Sequence, residues 1–290
     1  MNVLLTGATG YIGTAVAEAL AAAGHQVIGL ARSDESAVKL ENRGIRVARG
    51  DVRQPETVAD AARAADAMIH TALPNTPDAG DVDRAMVERV LFALEGSGKP
   101  FVFTSGVWVY GSTGEHVADE NTPLNPPPLV AWRPAVERMV LESASRGVGG
   151  VVVRPAMVYG RGGGVAMMFV NSAREHGAAH IVGDAGNRWP WVHVDDLADL
   201  YVRLLHAPPG TLVVASAGPA VRVRDVAETA SRAAGAGGKV EAIPLEEAHK
   251  NLGLLADALA LDQQVASRRA AELLAWLPKS PGVLEEIARM

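Results

Sequence analysis

The chain has 290 residues, enough for a large core and one or two domains; 48% are hydrophobic, 21% are charged, and the formal charge is −6. That balance is ordinary for a soluble globular protein, and the absence of a basic stripe argues against nucleic acid as the main partner. With no cysteine, disulfides and cysteine-ligated zinc are excluded, and the eight histidines form no metal-binding motif, so no metal is expected.

The opening MNVLLTGATG lacks the basic leader of a secretory signal, and no apolar run approaches the ~20 residues that span a bilayer. A cytoplasmic chain without membrane contact is the expectation. Short apolar runs at 2–7, 26–32, 45–51, 67–72, 100–106 and 150–155 read as buried strands. Helical patterns separate them: 11–25, then near 55–65, 80–96 and 131–147. This alternation predicts an α/β fold with a parallel sheet covered on both faces. Beyond residue 160 the pattern loosens. GRGGG (160–164) reads as a flexible loop, and GGGVAMMFV (162–170) as an adaptable lid. A strand and helix follow over 188–206, with Asp195 and Asp196 placed to cap the helix, then a strand at 210–216 and a helix at 221–235. The tail, 262–289, reads as helical with a break at LPKSPG. The expected organisation is a Rossmann-type domain over 1–160, rejoined by parts of 188–216, and a small C-terminal substrate-binding lobe over 161–290.

TGATGYIG places Gly7, Gly10 and Gly13 directly after the first strand and at the start of the first helix. Gly7 permits a tight turn, Gly10 lets the backbone approach a pyrophosphate at the positive helix end, and Gly13 permits close helix–strand packing. Thr9 belongs to the same turn. At the tip of strand two, GLARSDE has Ala31 where an acid would accept the ribose 2′-hydroxyl of NAD. Arg32 and Ser33 beside it suit a 2′-phosphate, so NADP is expected over NAD, unless Arg32 is a solvated surface charge. Asp34 and Glu35 begin the next helix. Asp51 is placed to accept from the adenine amino group or, alternatively, to cap the helix that follows it.

Together TGATGYIG, GDVRQPE, AMIHTA, FVFTSGVWVYG, VVVRPAMVYGRG and RWPWVHVDDLADLYV resemble the extended short-chain dehydrogenase/reductase family, also called the NAD-dependent epimerase/dehydratase family. The resemblance covers nearly the whole chain. It implies that Tyr11 and Ile12 line the pyrophosphate turn and that Asp51 and Val52 flank the adenine. It sets Thr71, Ala72 and Leu73 under the ribose–phosphate, and Thr104 and Ser105 beside the nicotinamide ribose. Pro155, Ala156 and Val158 would pack around the nicotinamide. It also implies a homodimer through the helices at 80–96 and 131–147.

Family enzymes usually carry a Ser/Thr, a Tyr and a Lys, the last two four residues apart. Here the four tyrosines, Tyr11, Tyr110, Tyr159 and Tyr201, are followed four residues on by Ala15, Gly114, Gly163 and Leu205. By the resemblance, Leu129 takes the tyrosine position, Arg133 the lysine position and Gly106 the serine position. Arg133 keeps the charge to hold a cofactor ribose but stays protonated and cannot shuttle a proton. Tyr110 is the first candidate for a replacement acid, a packing aromatic being its alternative, and Ser105 is the second, more as an orienting donor. Tyr159 and His193 are further options, His193 more readily a structural histidine.

Trp108, Trp132, Trp189 and Trp191 fall in segments expected near the cleft, as an aromatic pocket or as core. Arg188 matches one arginine of the family's diphosphate clamp, and the second is missing. One arginine is a poor diphosphate clamp. The expected substrate is therefore a small, fairly apolar carbonyl or imine, reduced or oxidised with NADP as cofactor. A nucleotide-sugar epimerase or dehydratase, and a non-catalytic NADP-binding sensor or scaffold, stand as alternatives.

Overall fold

The computed structural model describes residues 1–183 and 186–290. Strands β1 (Asn2–Thr6), β2 (Gln26–Ala31), β3 (Arg46–Arg49), β4 (Ala67–His70), β5 (Pro100–Thr104) and β6 (Gly149–Pro155) are followed by β7 (Met157–Gly160), β8 (Ala179–Val182), β9 (Trp191–His193), β10 (Thr211–Ala215) and β11 (Val240–Ile243). Seven of them form one sheet in the order β10-β6-β5-β4-β1-β2-β3, with every neighbouring pair parallel. The chain begins mid-sheet and winds outward both ways, as in doubly wound folds. β4 and β6 are buried at every position, which is why their apolar residues stand consecutively, at 67–69 and 151–153, rather than alternating.

The helices of this half are α1 (Tyr11–Ala22), α2 (Asp34–Glu41), α3 (Pro55–Ala64), α4 (Ala79–Leu94) and α5 (Arg133–Glu142). α1 and α2 share one core cluster with α7 (Val194–Leu204), while α3, α4 and α5 pack on the other face. Helix 131–147 was expected unbroken; α5 stops at Glu142 and a tighter turn, Ser143–Arg146, ends at Gly147 with φ 72°. Pro134 sits in the first turn of α5, where its missing N–H costs nothing.

A second core gathers Met157, Phe169, Trp189 and Trp191 with α6 (Ala166–His176) and α8 (Val223–Ala233). β8 pairs with β11, and β9 with β7, both in parallel. The remaining helices are α9 (Leu245–Leu252), α10 (Leu255–Leu259), α11 (Arg268–Leu274) and α12 (Val283–Ala288), the last two flanking the expected break.

Two local expectations are corrected. The cap of α7 is His193, whose Nδ1 accepts from the Asp195 N–H at 3.2 Å; Asp196 instead accepts from the backbone N–H groups of Lys279 and Ser280, at 2.9 and 3.1 Å. The glycine run 160–164 is held rather than free. The Tyr11 hydroxyl donates to the Gly160 carbonyl at 2.8 Å, the Tyr11 ring lies against Gly163, and Arg161 pairs with Glu18 and Asp195. Among the described residues no helix is long and apolar enough to cross a membrane.

Candidate functional site

The carboxyl edge of the sheet is built first by the turn after β1. Gly7 has φ 71°, and a Cβ there would stand 2.8 Å from the Ala72 nitrogen. A Cβ on Gly13 would stand 2.0 Å from the Gly7 carbonyl oxygen, so α1 approaches the turn only because position 13 is glycine. Gly10 donates back to the Gly7 carbonyl at 2.8 Å, and Thr9 and Gly10 are exposed at the helix start. A tight glycine turn opening onto a helix start is a geometry suited to seating an anion on backbone N–H groups and the helix dipole. Tyr11 and Ile12 are half-buried beside it. Burial and Asp195 push the Tyr11 phenol well above its ordinary value.

At the tip of β2, Ala31 is buried and Arg32 is exposed, with no hydrogen bond or ion pair among the described residues. Ser33 caps α2: its hydroxyl accepts from the Ser36 N–H at 3.2 Å. Asp34 pairs with Arg49 at 2.7 Å. Asp51 accepts from the Arg53 N–H at 3.0 Å in a local turn and does not cap α3, whose cap is Gln54 without a side-chain hydrogen bond; Val52 packs on the core of that face.

At the tip of β4, the Thr71 hydroxyl donates to the Thr6 carbonyl at 2.7 Å, which fixes Thr71 and Ala72 against the glycine turn; Leu73 is exposed. Beneath them lies a fully buried line that local sequence patterns did not reveal. Thr6 Oγ1 is 2.7 Å from His70 Nδ1, and His70 Nε2 is 2.7 Å from Asp83 Oδ1.

At the tip of β5, the Thr104 hydroxyl bonds the buried Tyr201 hydroxyl at 2.6 Å, and the Thr104 carbonyl accepts from Arg133 at 3.1 Å. The Arg133 guanidinium lies over the Trp132 ring, 4.9 Å from its centre. Burial lowers its pKa, and the carboxylates of Asp83 and Glu137 oppose that. Ser105 is buried, and its hydroxyl has no partner among the described residues. Gly106 has room: a Cβ there would meet only the Pro155 carbonyl, at 3.9 Å. Pro155 ends β6, Ala156 bonds across to Ala215 at 2.8 Å, and Val158 is half-buried behind them.

Tyr110 is corrected as the candidate acid. It is 3% exposed, its hydroxyl accepts from Arg154 at 2.8 Å, and burial pushes its pKa up to about 12. Arg154 in turn grips the buried Glu137 through two hydrogen bonds. A phenol locked onto a buried ion pair is a packing aromatic with its polar end satisfied. Tyr159 is also excluded from the cleft, its hydroxyl donating to the Pro281 carbonyl at 2.5 Å.

On the lobe side, Arg188 is held by Asp262 at 2.8 Å and Glu115 at 3.0 Å, and donates to the Gly114 carbonyl. Trp189 and Trp191 are core residues at 2% exposure, and Trp108 packs against their cluster. Trp132 is instead seated on Gly80 of α4, where a Cβ would stand 2.7 Å from its ring. The indole N–H groups of Trp108, Trp189 and Trp191 and the Ser216 hydroxyl are buried without partners among the described residues.

A parallel doubly wound sheet with a glycine turn at its carboxyl edge defines a dinucleotide-binding protein of the extended dehydrogenase type. The chain belongs to the NAD dependent epimerase/dehydratase family, whose profile matches residues 3–215. It is 30% identical over 296 residues to an uncharacterised protein of Saccharomyces cerevisiae, covering 99% of this chain and 98% of that one. It is 26% identical to a 2-alkyl-3-oxoalkanoate reductase of Stenotrophomonas maltophilia, over 68% of this chain and 63% of that one. A UDP-glucose 4-epimerase of Streptomyces lividans is 27% identical over 80% of each chain. The fold is similar to that of the UDP-glucose 4-epimerase of Thermotoga maritima, with a TM-score of 0.83 and 20% identity over 99% of this chain and 96% of that one. The chain is thus a member of the nicotinamide-cofactor oxidoreductase and epimerase superfamily.

Proposed function

We propose that the protein is an NADP-dependent oxidoreductase acting on a small, fairly apolar carbonyl or imine compound. The observation that carries this reading is the state of Arg188. Its guanidinium is spent on two carboxylates, so the lobe keeps no free arginine there for a sugar diphosphate. The likeness to the 2-alkyl-3-oxoalkanoate reductase points the same way. The cofactor preference rests on the buried Ala31 and the unpaired Arg32 at the tip of β2.

A bound nicotinamide supplies the hydride donor or acceptor. The chain's own part is to seat and polarise. Gly7, Gly10 and the start of α1 hold the pyrophosphate, Arg133 holds the adjoining ribose, and the Ser105 hydroxyl, unpartnered among the described residues, donates to a carbonyl oxygen or a neutral imine nitrogen, a protonated imine having no lone pair to accept it. A substrate that brings its own activation, such as a protonated imine, suits a site without the usual tyrosine. The likeness to the Streptomyces epimerase favours a second reading, epimerisation on a retained cofactor with no net turnover of it. We also place a homodimer contact on the outer face of α4, where Phe92 is 63% exposed.

The test is titration with NADPH and NADH, then a panel of ketones, aldehydes and imines with absorbance of the reduced nicotinamide as the readout. Oxidation of NADPH by one class is the expected result. Cofactor retained through purification and unchanged by every compound overturns it in favour of the second reading.

A further inference from the structure

The Thr6–His70–Asp83 line is used by nothing in the reading above. Thr6 is 0%, His70 2% and Asp83 2% exposed, so the line cannot touch substrate. Its bonds have a consistent direction. With neutral His70, the Thr6 hydroxyl donates to Nδ1, and Nε2–H donates to Asp83 Oδ1. The Thr6 oxygen also accepts from the backbone N–H groups of Thr71 and Ala72, at 3.3 and 3.4 Å. The line therefore starts at the segment that seats the ribose–phosphate and ends on a buried carboxylate.

The other oxygen of that carboxylate, Asp83 Oδ2, is buried with no hydrogen-bond partner among the described residues. A buried carboxylate oxygen left open is expensive unless a charge faces it. Two observations point to the Arg133 guanidinium as that charge, acting through space without a direct hydrogen bond or ion pair to Asp83 among the described residues. The Asp83 carboxylate opposes the effect of burial on the Arg133 guanidinium more than Glu137 does. Gly80, three residues earlier and so on the same face of α4, takes the Trp132 ring, over which the Arg133 guanidinium lies.

We propose that Asp83 is a positioning residue for Arg133, and that the Thr6–His70–Asp83 line couples the phosphate end of the cofactor seat to its nicotinamide-ribose end. This rests on the reading of Arg133 as a ribose holder. Asp83 fixes the guanidinium by charge, and His70 fixes Asp83. Arginine at this position needs such an anchor because its longer, always-charged head must be aimed.

The test is a double-mutant cycle on cofactor affinity with Asp83→Asn and Arg133→Met, followed by fluorescence titration. The ligand is whichever of NADPH and NADH the wild type binds, so an error in cofactor preference does not blur the outcome. Asp83→Asn keeps an acceptor for His70 and removes the charge. It is expected to weaken binding about tenfold in the wild-type background and by less than about twofold once Arg133 is methionine. Binding of adenosine 2′,5′-bisphosphate, or of AMP if the wild type prefers NADH, lacks the second ribose and is expected to be unchanged. Equal losses in both backgrounds, or no loss at all, overturn the proposal. Should Asp83→Asn fail to fold, His70→Leu, which breaks the link to Asp83 and leaves Thr6 to its contacts with Thr71 and Ala72, enters the same cycle with the same expectation.

Discussion

On the NADP reading, cofactor choice turns on Arg32, because among the described residues it is the side chain at the tip of β2 with no partner of its own. Ser33 caps α2 and Asp34 holds Arg49. A charge-assisted hydrogen bond contributes about 1.5–3 kcal/mol, so Arg32→Ala is expected to weaken NADPH binding by roughly 10- to 100-fold and to leave NADH nearly unchanged. Equal losses for the two cofactors, measured by titration, would count against the 2′-phosphate contact. Ser105 makes a different prediction. Its hydroxyl is buried and unpartnered, and its backbone N–H already bonds the Val153 carbonyl at 2.8 Å, so Ser105→Ala leaves the fold and cofactor affinity intact. If it donates to the reacting atom, kcat/KM falls by roughly 100-fold or more, the loss typical of one preorganised donor. An unchanged kcat/KM removes it from the chemistry. Tyr110 shows why residue roles were only partly legible. Its partner Arg154 is 44 positions away, and nothing in VWVYG announces a buried ion pair. The glycine turn was legible because its whole geometry lies within seven residues.

Elements were legible where burial left a periodic trace. The strands β1, β2, β4, β5 and β6 are largely apolar runs, and their helices carry one apolar stripe each, whereas β3, RVAR, buries no residue fully. Strands β8 and β11 were not legible, since they are four residues each and find one another across the chain. Arg188 was read as one arginine of a diphosphate clamp but not as an occupied one, because its partner Asp262 is 74 residues on. That pair ties the strand segment at 188–189 to the tail, and it carries a pH dependence. The Arg188 guanidinium holds the Asp262 carboxyl below its ordinary value. A depressed carboxyl contributes stability fully above the unfolded value of about 3.9, and loses it as pH falls below that through the folded value. Asp262→Asn is therefore expected to lower Tm near neutral pH and to flatten the fall of Tm between about pH 5 and 3. A variant whose Tm falls as steeply as the wild type across that range would assign the acid sensitivity to other carboxylates.

At the scale of the whole molecule, the doubly wound order follows from a chain that starts in the middle of its own sheet; the alternating pattern was enough to read a parallel sheet covered on both faces, but not the order of its strands. What no periodicity encodes is which outer face meets another copy. On α4 the buried face is explicit: Met86, Val87, Val90, Leu91 and Leu94 are sealed. The opposite face carries Phe92 at 63% exposure with the Arg89 guanidinium 5.2 Å from its ring centre. A large exposed aromatic beside an arginine is the composition of an interface centre rather than of a solvated helix face. If two copies meet there, Phe92→Lys places like charges across a two-fold axis and removes the apolar anchor. Sedimentation is then expected to show a dimer for the wild type and a monomer for Phe92→Lys, with Tm of the separated variant lower and independent of cofactor affinity. The proposed cofactor site lies at the carboxyl edge of the sheet, on residues of β1, β2, β4, β5, β6 and α5 from one copy, so the monomeric variant is expected to keep its cofactor binding. A wild type that sediments as a monomer, or a Phe92→Lys variant that stays dimeric, moves the contact off this face.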